Sequence, residues 1–365
     1  MRTLRADERP TRLAQAIAEI GRIDKTIHTL NFIDDEARRG ATLFCDYGST
    51  ARSRSNAVVL LSKQPASDRL HNSLDIEAHH GTTPTGCLPM TYSTLMVHLN
   101  LGVSNDGLLH IAADLAARFN AHVIGIAACQ PLQISYGDGY MSGDLIERDR
   151  LEMSREATQA EADFRAALHG IASRLEWRST VLPSSLAAYV AEQAGAADLL
   201  IIGPEEKGLT RDFSRRVNVG ELVMQVARPV LLVPPGVNQL NLENVVVGWK
   251  ETREARRAIS DALPLLKQAR HVTVLEIAAA EQIAAVRARL QDVAGWLGRH
   301  GIAAETMTAV SQGNDAAELD AIAQEKGAGL LVAGAYGHSR LREWMLGGVT
   351  RNLMLHPARC SFVSH

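Results

Sequence analysis

Ala196-Ala-Asp-Leu-Leu-Ile-Ile-Gly203 and Gly327-Ala-Gly-Leu-Leu-Val-Ala-Gly334 are one phrase written twice: an apolar run that closes on glycine. Two further runs repeat around them in the same order. His122-Val-Ile-Gly-Ile126 matches His271-Val-Thr-Val-Leu275, and each half closes on a comparable stretch, Arg228 to Pro235 in one and Ala358 to His365 in the other. Self-similarity in fixed order is the mark of a duplicated unit.

Within each unit, short runs apolar on both faces alternate with longer amphipathic stretches, giving the order βαβαβαβαβ. Strands apolar on both faces need cover on both sides, and right-handed crossovers then make a doubly wound parallel sheet. The expected fold is α/β: two tandem Rossmann-like, doubly wound domains. Each has a five-stranded parallel sheet with helices on both faces. The expected boundaries are 1–89 for an N-terminal extension, 90–236 for the first domain and 237–365 for the second. In the first unit, Gln130 to Arg150 has no counterpart of equal length in the second and reads as a loop leading into a helix.

Bulk properties agree. At 365 residues the chain exceeds the roughly 250–300 at which a single core stops growing. A 46% hydrophobic content is that of a globular protein, and a net charge of -3 gives no bulk positive field for a nucleic acid partner. Cys45, Cys87, Cys129 and Cys360 are scattered, without a CxxC pair, which fits a reducing cytoplasm. The N-terminus lacks a signal-peptide apolar core, and no stretch reaches the roughly 18–20 apolar residues of a membrane span.

Two resemblances follow. Arg9 to Leu43, RPTRLAQAIAEIGRIDKTIHTLNFIDDEARRGATL, resembles a stretch near the C-terminal end of the transposases of replicative class II bacterial transposons. The likeness breaks off at Phe44, and no acidic catalytic set accompanies it, so it reads as a relic. The expectation is a helical segment followed by a disordered one, with Met90 at or near the biological start.

From Met90 onward the chain resembles the universal stress protein family in its tandem form. Gly334-Ala-Tyr-Gly337-His338-Ser339, then Gly347-Gly348-Val349-Thr350, carries the family's spacing: glycine, two residues, glycine, nine residues, glycine and a small residue. Glycines at 334 and 337 let the main chain turn sharply and approach a ligand without a Cβ in the way. Gly347 and Gly348 precede a helix whose free N–H groups and positive dipole end suit phosphate. Thr350 and Ser339 can add hydroxyl donors; His338 and Arg340 can approach the phosphates. The resemblance implies a backbone contact from Val349 and an adenine side lined by Val247, Gly248, Trp249 and Lys250, with Ile277 from the next strand. Family members that bind nucleotide often carry an aspartate near position 249, where this chain has an indole and then a lysine.

The resemblance therefore implies a cytoplasmic, ATP-binding regulatory or stress-response protein, with ATP, possibly accompanied by magnesium, on the second domain. It also implies that the two closing strands pair to make an internal pseudo-dimer, and that the whole chain dimerises. The alternatives are a nucleotide-independent dimerising protein and a slow ATP hydrolase. In the first unit Glu206 stands at the second glycine's place and Val217 near the phosphate-binding pair, so that loop is expected not to bind ATP in the family manner. Arg215 and Arg216 read as a solvated surface pair or a separate anion site.

No P-loop, GxSxG elbow or HExxH is present, and no catalytic residue or metal site is assigned. His79, His80 and Cys87 lack a fourth ligand at informative spacing, and His98, His122 and His271 on apolar strands read as hydrogen-bonded structural imidazoles.

Overall fold

The computed structural model describes residues 27–35, 40–47, 57–60, 91–131, 143–204, 215–335 and 359–365. They fall into two compact units, residues 1–86 and residues 87–365.

In the first unit, β1 (Ile27–Asp35), β2 (Gly40–Tyr47) and β3 (Ala57–Leu60) form a three-stranded antiparallel sheet in that order. At residues 27–35 and 40–47 strands stand where a helix was expected, and at 57–60 a strand stands where disorder was expected; the rest of the N-terminal extension lies outside the described residues. Ile27, Thr29, Phe32 and Ile33 are β-branched or aromatic and favour a pleated surface, and an antiparallel partner supplied by Thr42 to Phe44 outweighs the helical period of the neighbouring charges.

The second unit holds ten strands in one sheet. They are β4 (Thr94–His98), β5 (His122–Cys129), β6 (Arg174–Val181), β7 (Leu199–Ile202), β8 (Val230–Leu232), β9 (Asn244–Gly248), β10 (His271–Ala278), β11 (Ala304–Val310), β12 (Leu330–Gly334) and β13 (Cys360–Ser364). Their spatial order is β11-β10-β9-β12-β13-β8-β7-β4-β5-β6. Each half is parallel and repeats one order about its own first strand, with Val97 opposite Gly125 and Val247 opposite Val274. The halves meet where β8 and β13 pair antiparallel, Leu231 opposite Phe362. Five strands per half, parallel within the half, agree with the sequence; the two sheets are however one continuous sheet.

Helices cover both faces. On one lie α1 (Asp106–Phe119), α2 (Gly143–Leu168), α5 (Arg253–Asp261), α6 (Leu263–Leu266) and α7 (Ile283–Arg299), which share a core with Leu95, Val97, Val247 and Phe362. On the other, α3 (Leu186–Gln193), α4 (Val219–Gln225) and α8 (Asp315–Glu325) pack over Met96, Ile124, Leu200 and Leu331. Period-2 alternation explains the partition, since Leu95 and Val97 face one layer while Met96 faces the other. Each fully buried Leu, Ile or Phe contributes about 1.5–3 kcal/mol against leaving it in water.

Helix starts were set by short polar side chains. Ser185 accepts from the Ala188 amide, Asn218 from Glu221, Thr252 from Ala255 and Asn314 from Ala317, each satisfying an amide that the helix leaves free. The capped starts of α3, α5 and α8 follow closely on the carboxyl ends of β6, β9 and β11. That edge of the sheet is where a ligand site is to be sought.

Candidate functional site

In the second half the strand order reverses at β9, which has β10 on one side and β12 on the other. A doubly wound sheet opens a crevice at such a point, because successive crossovers leave to opposite faces. The chain segments that meet there are Val247 to Lys250 at and beyond the end of β9, Ile277 near the end of β10 and Gly334 at the end of β12. The sequence-predicted positions 247, 248, 249, 277 and 334 thus share one sheet edge. Gly337, His338, Ser339, Gly347, Gly348, Val349 and Thr350 lie outside the described residues.

The side chains at this edge have differing roles. Val247 is buried in the core, and Gly248 gives room to a helix, since a Cβ there would lie 3.1 Å from Leu319 Cδ2. Trp249 is only 5% exposed, its amide donates to the Leu275 carbonyl at 2.7 Å, and its indole N–H has no partner among the described residues. The indole is core packing, so Trp249 faces the edge through its backbone.

Lys250 reaches across to β10. Its ammonium donates to the Ile277 carbonyl at 2.9 Å and lies 3.1 Å from Asp315 Oδ2 on the first turn of α8. The other Asp315 oxygen accepts from the Ser311 hydroxyl at 2.5 Å. Burial opposes the Asp315 charge, yet the Ser311 hydroxyl and the Lys250 ammonium bring its carboxyl below the ordinary aspartate range. With Lys250 about half exposed, this pair is worth no more than about 1 kcal/mol.

A second carboxylate was not foreseen. Glu254, on the first turn of α5, is 1% exposed, and its backbone packs directly beneath Gly334. Arg253 donates to its Oε1, while Oε2 has no partner among the described residues. Burial disfavours its charge, but Arg253, its own amide and the Thr252 hydroxyl outweigh that and leave the carboxyl below its ordinary range. The readable signal was an acid in the turn after a threonine cap, where the helix dipole favours negative charge.

The corresponding edge of the first half is built differently. Asn100 follows β4 as Lys250 follows β9, and its backbone is tied down by the Asn105 side chain. A cavity of about 410 Å³ opens beside it, lined among others by Asn105, Asp106, Gly203, Pro204 and Val233. Arg215 is neither solvated nor a free cation: its guanidinium lies 3.3 Å from Asp149, 2.8 Å from Glu156 and 4.0 Å from Glu152. Asp149, Glu152 and Glu156 on α2 neutralise it. Glu206 lies outside the described residues, and Val217 is buried.

Neither ring nitrogen of His98 has a partner among the described residues, which corrects the expected hydrogen-bonded imidazole. Complete burial between apolar strands pushes its pKa down to about 4 and keeps it neutral. His122 lies 3.9 Å from Glu176, and His271 is exposed at the start of β10. Among the described residues no cluster of His, Cys, Asp or Glu could hold a metal ion, and no helix is long and apolar enough to cross a membrane.

A mostly parallel sheet in which one strand order occurs twice is the Rossmann-like fold of the universal stress proteins. A universal stress protein from Archaeoglobus fulgidus superposes with a TM-score of 0.57 at 14% identity, over 74% of this chain and 98% of that one. A universal stress protein described as putative, from Pseudomonas aeruginosa, gives 0.51 at 14% identity, over 75% and 93%. Residues 1–43 match the family model of the Tn3 transposase DDE domain. The transposase of transposon gamma-delta from Escherichia coli is 54% identical over 39 residues, which is 11% of this chain. The chain spans 4% of the length of that curated relative, so the match is to a fragment.

Proposed function

We propose that the chain is a nucleotide-binding regulatory protein of the universal stress type, which takes ATP on its second half. The observation that carries this reading is the convergence of Val247 to Lys250, the Ile277 carbonyl and Gly334 on one reversal point, with Gly337 and Gly347-Gly348-Val349-Thr350 following β12 in the sequence. In this reading the main chain of that loop and the hydroxyls of Ser339 and Thr350 hold the phosphates, with magnesium as their counter-ion. Main-chain groups at Trp249 and Ile277 face the base. The first half, with Arg215 neutralised and Glu206 in its loop, serves as scaffold.

The domains divide at 236/237 and pair through β8 and β13 as an internal pseudo-dimer, and the chain works in the cytoplasm, joined to a second copy as a homodimer. Residues 1–43 are a fragment of a mobile-element protein and bring no transposition chemistry with them.

One observation favours a second reading, in which the protein acts by docking without nucleotide: the Ile277 carbonyl already has a donor in Lys250. Calorimetric titration of the full chain with magnesium ATP decides between the two. Saturable binding supports the first; a folded chain that takes up no ATP supports the second. A turnover assay on the same sample tests slow hydrolysis.

A further inference from the structure

The carbonyl of Ile277 would offer an acceptor to an approaching base, and an acceptor selects an amino group. One of its two lone pairs is engaged. The Lys250 ammonium sits on it at 2.9 Å and is held from the other side by Asp315 at 3.1 Å. Asp315 is itself fixed by Ser311, and Lys250, following directly on the buried Trp249, springs from a rigid point of the backbone. An ammonium carries three donors and no acceptor. Two are directed to Ile277 and Asp315, and the third remains on a side chain that is 53% exposed.

We propose that Lys250 sets the base selectivity of this edge, turning it from an acceptor into a donor that takes a 6-oxo purine nucleotide in preference to a 6-amino one. The inference rests on the nucleotide reading above and concerns only which base that site accepts. A 6-amino group arriving at Ile277 finds one of the two carbonyl lone pairs taken and an ammonium N–H beside it that it cannot accept. A 6-oxo group accepts the third ammonium N–H and leaves both existing contacts in place. A hydrogen-bonding mismatch of this kind is worth roughly a factor of ten in affinity.

The test is calorimetric titration of the full chain with magnesium ATP and magnesium ITP, whose bases differ at the 6-position and in the N1 proton that accompanies a 6-oxo group, on the parent and on Lys250→Met and Lys250→Arg. The parent is expected to bind ITP about tenfold more tightly than ATP. Lys250→Met removes the donor and tightens ATP until the preference is lost, whereas Lys250→Arg keeps a donor and keeps the preference. Equal affinities in the parent, a preference for ATP, or a preference unchanged in Lys250→Met overturns the assignment while leaving the nucleotide reading intact. If neither triphosphate binds parent or variants with unaltered melting curves, both fall together. Should Lys250→Met fold poorly, the parent's ratio and the Lys250→Arg variant decide the matter.

Discussion

A Cβ on Gly334 would stand 2.5 Å from the backbone nitrogen of Ala255, with the Glu254 carbonyl carbon at 2.6 Å. The glycine that closes β12 is therefore required by the fold itself, because the first turn of α5 lies against it. The sequence suggested that Gly334 is small to admit a ligand, and the structure gives a reason that holds without one. Backbone cannot move aside as a flexible side chain can, so Gly334→Ala is expected to cost about 1–3 kcal/mol by overpacking. Urea unfolding in the absence of nucleotide measures it, and an unchanged midpoint would contradict the packing assigned here.

His98 makes stability depend on pH. Its folded pKa of about 4 lies below the unfolded value of 6.5, so the unfolded chain takes up the proton first as pH falls. The contribution is complete above pH 6.5 and is lost as pH falls toward 4. The shift corresponds to at most about 3 kcal/mol, as an order of magnitude. His98→Leu is expected to remove that part of the acid dependence and to raise stability at neutral pH, since it discards two buried ring nitrogens without partners. Chemical denaturation of parent and variant at pH 7 and pH 4.5 shows the difference.

Arg215 clamps the segment before α4 to α2 through Asp149 and Glu156, all three side chains being less than 20% exposed. Arg215→Ala leaves those carboxylates facing one another in a largely dry setting. The expected loss is about 3 kcal/mol at neutral pH. It should shrink in acid, because desolvation already raises the Glu156 carboxyl above its ordinary range and its protonation relieves the repulsion. Melting curves of the variant at two pH values report both the loss and its sign.

Phe362 lies on β13 opposite Leu231 of β8 and is fully buried where the two halves join. Tyr92 of the first half reinforces the junction by donating to the Asp261 carbonyl at 2.7 Å, and Ser364 holds the Asp261 carboxylate from within the second half at 2.9 Å. Phe362→Ala is expected to destabilise by about 3–5 kcal/mol. With one sheet running through both halves, tryptophan fluorescence and far-UV circular dichroism should report a single transition. Two separated transitions would show that the halves unfold independently.

The order of strands and helices was legible because each apolar run, such as Leu199 to Ile202, carries its own length and period. The sheet edge was legible in part: glycine spacing marked Gly334, and the first strand's end marked Val247 to Lys250. Lys250's partners were not, since Asp315 comes 65 residues later and only folding brings it to β9. Arg215 was read as solvated for the same reason, its acids lying on a distant helix. The strands at Ile27 and Gly40 were hidden by flanking charges whose spacing fits a helix, while the pairing that decides them is non-local.

In the proposed function the second half holds a nucleotide through the glycines that follow β12 in the sequence. The direct measurement is calorimetric titration of the full chain with magnesium ATP beside a Gly337→Glu, Gly347→Val double variant, whose added side chains stand in the way of a ligand approaching the main chain. Saturable binding by the parent and none by a variant with an unaltered melting curve is the predicted result. A folded parent that takes up no ATP, or a variant that binds as well as the parent, would contradict it.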